Sequence, residues 1–149
     1  MSGDVVVQTV CAPVPGEAKP TIGGLVLWKD GDHFLRLDRG RFGSYEILFS
    51  GNLNGQPNVI GRGRLSLDEA CRVFLRLERI GDRVRALCSA DGAQWFSVGH
   101  IGFPAEDPIR VGVFAVGNID RAIHRGAYPS GTAIHFTSFQ LWATIQPRE

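Results

Sequence analysis

Lysine is scarce in this chain of 149 residues: Lys19 and Lys29 are the two present, and arginine carries almost all of the positive charge. With a formal net charge of +1, the chain lacks the basic field that nucleic acid or an anionic membrane surface would need. Neither is expected as a partner. Cysteine is also sparse, since Cys11, Cys71 and Cys88 make an odd count with no C-x-x-C spacing. That pattern fits neither a disulfide framework nor a zinc site. Cys88 alternates with Val84 and Ala86, so it reads as a small buried hydrophobe rather than a reactive thiol. No run of about eighteen apolar residues is present to span a bilayer. Nothing near Met1 has the basic start and apolar stretch of a secretory signal, so the chain as written is expected to be cytoplasmic unless it is cut from a longer protein.

The largest absence is helical periodicity. Period-two alternation recurs instead between breaks rich in Gly, Pro and Asp, and this predicts an all-β chain of one-domain size. Strands are expected over Val5–Ala12, Gly24–Trp28, Phe34–Arg39, Tyr45–Ser50, Gly61–Leu67, Arg72–Ile80, Arg83–Ser89, Trp95–Gly99, Ile109–Gly117 and Ala133–Ala143. Only Ser66–Arg72 could carry a helical turn, with Ser66 as cap and Glu69 three residues on. Three stretches read as long irregular connections: Pro13–Gly23, Gly51–Gly63 and Asn118–Thr132, the last gathering Arg121, His124, Arg125 and Tyr128. Loops of that length are uncommon without a function, although a solvated loop is the plainer reading.

Two hairpins can be registered from the residues alone. In "RVFLRLERIGDRVRALCS" the Gly81-Asp82 pair is a two-residue loop. Leu77 then faces Ala86 and Leu75 faces Cys88 on one side, while Glu78 faces Arg85 on the other as an opposite-charge pair. In "GLVLWKDGDHFLRLDRG" a loop at Asp30-Gly31-Asp32 pairs Leu27 with Leu35 and Leu25 with Leu37 toward a core. The opposite face then receives Trp28 beside Phe34, then Arg36, then Asp38. An aromatic pair followed by a guanidinium and a carboxylate, on the face the core does not need, is the most informative constellation in the chain. It serves either a ligand or a covering segment.

With these hairpins, "SADGAQW" and the closing "RVGVFAVG…AIHFTSFQLW" in view, the chain resembles a concanavalin A-like lectin/glucanase domain. The pattern is similar to the regulation-of-enolase-type family and to C-terminal domains of β-xylosidases. "GGLVLWKDGDHFLRL" matches that family's Gly-Leu strand and Asp-rich turn, and "LRLERIGDRVRALCSADGAQW" matches its central motif almost in full. Phe136, Phe139 and Leu141 match its final "FxxFxL", so the likeness covers about residues 22 to 143. It implies a two-layer antiparallel β-sandwich of the jelly-roll kind, with residues 1–149 as a single domain that lacks N-terminal strands usual in the family. An edge left uncovered by such a loss would favour pairing with a neighbour, as in a homodimer. In "SADGAQW" itself, Asp91-Gly92 supplies a turn, Ser89 and Asp91 bond nearby backbone N–H groups, and Trp95 folds back over the hairpin.

Glucanases of the resembled fold carry an E-x-D-x-E run, and none is present. Asp30 and Asp32 have suitable spacing but sit on a turn, and Glu78 already faces Arg85. His33, His100, His124 and His135 are too scattered for a metal cluster. No catalytic residue is therefore expected, and glycoside hydrolysis is the weakest reading. Related sandwiches often hold calcium, for which Asp30, Asp32 and Asp91 are the candidates, without an EF-hand pattern. The leading expectation is a non-catalytic, lectin-like module binding carbohydrate or a similar polar ligand through Trp28, Phe34, Arg36 and Asp38, with Tyr45 at the rim. The alternative is a protein-interaction or assembly module using the same aromatic and arginine patch.

Overall fold

Alternating apolar side chains dictate where the ten strands lie, and a computed structural model of the chain describes residues 4–13, 22–40, 46–65, 72–103, 109–116 and 134–143. The strands are β1 (Val5–Pro13), β2 (Ile22–Asp30), β3 (His33–Arg39), β4 (Glu46–Leu53), β5 (Gln56–Arg64), β6 (Val73–Ile80), β7 (Arg83–Ser89), β8 (Phe96–Gly102), β9 (Arg110–Val116) and β10 (Ile134–Ala143). They form two five-stranded sheets, β10-β1-β6-β7-β8 (sheet A) and β5-β4-β3-β2-β9 (sheet B), with every pairing antiparallel. No helix occurs among the described residues.

The core sits between the sheets and is built by the inward residues of each strand. Val7, Leu75, Leu77 and Ala86 on sheet A meet Leu25, Leu27, Leu35, Leu37 and Phe49 on sheet B, each 0% exposed. Both expected hairpin registers are present: Leu75↔Cys88, Leu77↔Ala86 and Glu78↔Arg85 in one, and Leu25↔Leu37, Leu27↔Leu35 and Trp28↔Phe34 in the other. Cys11 and Cys88 are free and buried. Burial pushes the Cys88 thiol up to about 11 and that of Cys11 up to about 12, the nearby Arg39 opposing and Asp38 adding to the latter. Thiols held protonated in this way are poor nucleophiles. Cys71 lies outside the described residues, as do most of Ser66–Arg72 and all of Asn118–Thr132.

One expectation needs correction. Gly51–Gly63 is not an irregular connection but the end of β4, a tight turn and most of β5. Asn54 and Gly55 both have positive φ, 52° and 74°, the combination a type I′ hairpin turn requires. Pro57 and Asn58 disguise the strand, and they are tolerated because β5 is an edge that needs no further ladder partner on one side. Strand β1 is paired on both sides, by β6 and, along its whole length, by β10, from Val5↔Ala143 to Pro13↔Ile134.

The "SADGAQW" turn is built as its residues suggest. Ser89 Oγ accepts from the N–H of Asp91 (3.2 Å) and of Gly92 (2.8 Å), while Asp91 Oδ1 accepts from Ala93 N–H (2.8 Å) and Gln94 N–H (3.0 Å). Trp95 Nε1 donates to the Gly92 carbonyl at 3.1 Å, and its indole meets Phe74 edge-on at 6.4 Å. Gly92 has φ 78°, and a Cβ there would lie 2.9 Å from the Phe74 ring. Gly92→Val should therefore cost about 1–3 kcal/mol from backbone strain, seen as a lower thermal midpoint. The backbone N–H bonds from Gln94 and Ala93 hold the Asp91 carboxyl below its ordinary range. The stability it lends is present above the unfolded pKa and is lost as pH falls through the lowered folded one.

Candidate functional site

The β2–β3 hairpin presents its outward face on sheet B, because alternation that sends the four leucines inward must send Trp28, Phe34 and Arg36 outward. Trp28 is 39% exposed, and its ring stacks on that of Phe34 with centroids 5.0 Å apart and planes 20° from parallel. The Arg36 guanidinium lies over the Phe34 ring, 5.3 Å from its centroid. The three side chains form one stacked series.

Register across the sheet adds neighbours that the hairpin alone does not reveal. Arg110 of β9 pairs with Trp28, Asn52 of β4 pairs with Phe34, and Ser50 pairs with Arg36. Asp38 occupies the next row of the same face, but it is 0% exposed, and its partner Leu48 and nearby Ser50 are 4% and 5% exposed. The face is open at the Trp28 end and closed at the Asp38 end. Asp38 therefore acts inside the domain, and in this arrangement it offers no surface to a ligand, contrary to the expectation for it. Tyr45 lies outside the described residues.

The rim beside Trp28 and Phe34 is fixed by two hairpin tips that bond to each other. Gly55 N–H donates to the Asp32 carbonyl (3.0 Å), and Asn52 Nδ2 donates to the Gly31 carbonyl (3.1 Å). His33 bridges the tips, with Nδ1 2.9 Å from Asp30 Oδ1 and Nε2 3.1 Å from Asn54 Oδ1. The Asp30 carboxylate accepts from the ring, and with Asn54 Oδ1 also accepting the imidazolium satisfies both neighbours. The Asp30 bond, then the Asn54 bond, raises the His33 pKa, and the His33 bond in turn lowers that of Asp30. The His33 contribution to this tie is complete below the unfolded histidine pKa of about 6.5 and is lost as pH rises through the raised folded value. An NMR titration of the His33 ring should give an apparent pKa above that of a free histidine, and Asn54→Ala should lower it. An unshifted titration would show that the bridge does not form.

Among the described residues, no three His, Cys, Asp or Glu side chains gather where they could hold a metal ion. Asp91 stands on the β7–β8 connection of sheet A, whereas Asp30 and Asp32 belong to a tip of sheet B, so the three do not converge. No helix among the described residues is long and apolar enough to cross a membrane.

With this geometry established, comparison with known proteins places the fold. The GH43 protein BlXynB from Bacillus licheniformis superimposes with TM-score 0.73 and 17% identity, over 96% of this chain and 28% of that one. The fold is a jelly-roll β-sandwich. A xylan β-1,4-xylosidase from Bacillus halodurans C-125 gives TM-score 0.69 and 18% identity over 94% of this chain and 28% of its own. A functionally unknown protein from Saccharomyces cerevisiae gives 0.71 and 18%, over 98% and 72%. The chain thus spans less than a third of the length of the two Bacillus proteins. No protein-family model matches the chain, and no curated protein does.

Proposed function

We propose that the domain binds carbohydrate without catalysis, on the outward face of the β2–β3 hairpin. The observation that carries this reading is the exposed, pre-stacked Trp28–Phe34 pair with Arg36 beside it. A solvent-facing indole is an apolar liability that the C–H face of a sugar ring covers well, and a planar guanidinium next to it donates to ring hydroxyls. The association of the fold with xylan-acting proteins makes xylan fragments the first ligands to try. Affinity electrophoresis of the intact chain through xylan, glucan and mannan should show retardation in at least one gel. The same preparations should release no reducing sugar on incubation, because Glu78 is committed to arginines and Asp30 is tied to His33 on a hairpin tip. Release of sugar would overturn the non-catalytic half of the proposal.

A second reading, an assembly module, is favoured by one observation. Val113, Phe139 and Leu141 face inward by register, opposite Leu25, Thr9 and Val7, yet they are 40%, 46% and 39% exposed. They lie on β9 and β10, the outer strands on one side of the sandwich, so the apolar inner surface continues there into solvent. A concentration-dependent dimer in sedimentation, abolished by Phe139→Glu, would support assembly over glycan binding.

A further inference from the structure

The outward face of sheet A carries another aromatic and polar array, remote from the Trp28 face. Register lines up Trp142, Val6, Glu78, Arg85 and His100 across its five strands. The guanidinium of Arg76 sits between two indoles, 5.6 Å from Trp142 and 5.8 Å from Trp95. Its Nε donates to Glu78 Oε2 at 2.9 Å and its Nη1 to Gln8 Oε1 at 3.2 Å, while Arg85 Nε donates to Glu78 Oε1 at 2.9 Å. Burial alone would raise the Glu78 pKa, but the hydrogen bonds from Arg85 and Arg76 outweigh it and hold the carboxyl ionised below its usual range.

We propose that this face binds an acidic oligosaccharide, with a sugar ring stacked on Trp142 and a uronate carboxylate held by Arg85. Three observations support the assignment. Trp142 is 47% exposed, yet the Arg76 contact and the bonds behind it hold that indole in place, so little order remains to be gained on binding. The charge is unbalanced locally even though the whole chain is near neutral: Glu78 is the single carboxylate of the row and is shared between Arg76 and Arg85. Arg85 gives its Nε and Nη2 to Glu78 Oε1, yet its side chain remains 56% exposed, so the Nη1 end of the guanidinium is the part offered to a ligand carboxylate. Beyond it, Arg83 Nη2 lies 2.8 Å from His100 Nδ1. Finally, Trp142 and Arg85 are separated by three strand spacings, about 14 Å, which suits an oligosaccharide laid across the strands rather than one sugar. This site does not depend on the Trp28 reading, because the two faces lie on opposite sides of the sandwich.

The test uses the full chain with trigalacturonate and xylotriose as probes, by calorimetry and by the indole N–H signals of a ¹⁵N-labelled sample. Trigalacturonate should bind more tightly than xylotriose, shift the Trp142 indole signal and weaken as salt is raised. Trp142→Ala and Arg85→Gln should each lower its affinity at least about tenfold, the scale of a lost stacking or charge-assisted contact, while Trp28→Ala should leave it unchanged. If Trp142→Ala fails to fold, the indole shift in the wild-type chain and Arg85→Gln decide the matter. Absence of trigalacturonate binding would overturn the proposal. So would binding indifferent to both substitutions, or binding no tighter than that of a sulfated dextran fragment of equal charge. Loss of xylotriose binding alone bears only on the Trp28 face.

Discussion

Leu75→Ala should lower the unfolding free energy by about 2–5 kcal/mol, the range for deleting a leucine side chain from a packed core. Leu75 stands on β6, the middle strand of sheet A, between Thr9 of β1 and Cys88 of β7. It is 0% exposed, as are Thr9 and, across the core, Leu25, Leu27, Leu35 and Leu37. Two hydrogen-bonded sheets on either side leave the site little freedom to collapse, so the lost side chain leaves a cavity as well as a lost transfer term. Ile80→Ala, at the 62% exposed end of the same strand, should cost less than about 1 kcal/mol. Urea midpoints at constant m-value give the comparison, and equal losses for the two variants would mean that the two faces of β6 are reversed. Strand alternation would make Arg76 an equally neutral control. The structure removes it from that role, because Arg76 supports the buried Glu78 and two indoles.

That difference shows which features alternation makes legible and which it does not. The β6–β7 and β2–β3 hairpins follow from neighbouring residues, because the Gly81-Asp82 turn and the Asp30-Gly31-Asp32 loop fix register over the few residues on each side, although the second closes as a Gly31-Asp32 turn with a bulge at Lys29 that keeps Trp28 opposite Phe34. The Trp28, Phe34 and Arg36 series is legible for the same reason. The burial of Asp38 is not, since it depends on what lies over the third row of the sheet, and nothing within the hairpin reports that. Strand β5 was hidden by Pro57 and Asn58, whose strand-breaking tendency matters less at an edge. The Asn54-Gly55 pair was the signal that could have found it. The Trp142 array was the least visible of all, because it joins side chains as far apart in sequence as Gln8 and Arg76, separated by 68 residues. Pairings of that range are set by closure of the whole sandwich.

Trp28→Ala should lower affinity for a neutral xylo-oligosaccharide by at least about tenfold, a little over 1.4 kcal/mol, while leaving the fold largely intact. The size follows from the geometry: the indole supplies the exposed end of a stacked pair, and removing it takes away contact area and aligned aromatic surface together. Phe34 cannot take its place, because its ring is half-buried and already carries the Arg36 guanidinium over it. Stability should fall by less than about 1–2 kcal/mol, since the core leucines behind the hairpin lose no contact and the vacated space opens to solvent. Trp28→Tyr, which keeps a flat ring, should recover most of the binding. Calorimetry reads the affinity, and circular dichroism with sedimentation reads the fold and the oligomeric state. If Trp28→Ala keeps wild-type affinity in a folded monomer, the ligand does not sit on this face. If it dissociates a dimer instead, the Trp28–Phe34 pair is an interface anchor of the kind that buried aromatics supply, and the assembly reading replaces the carbohydrate one for this side of the sandwich.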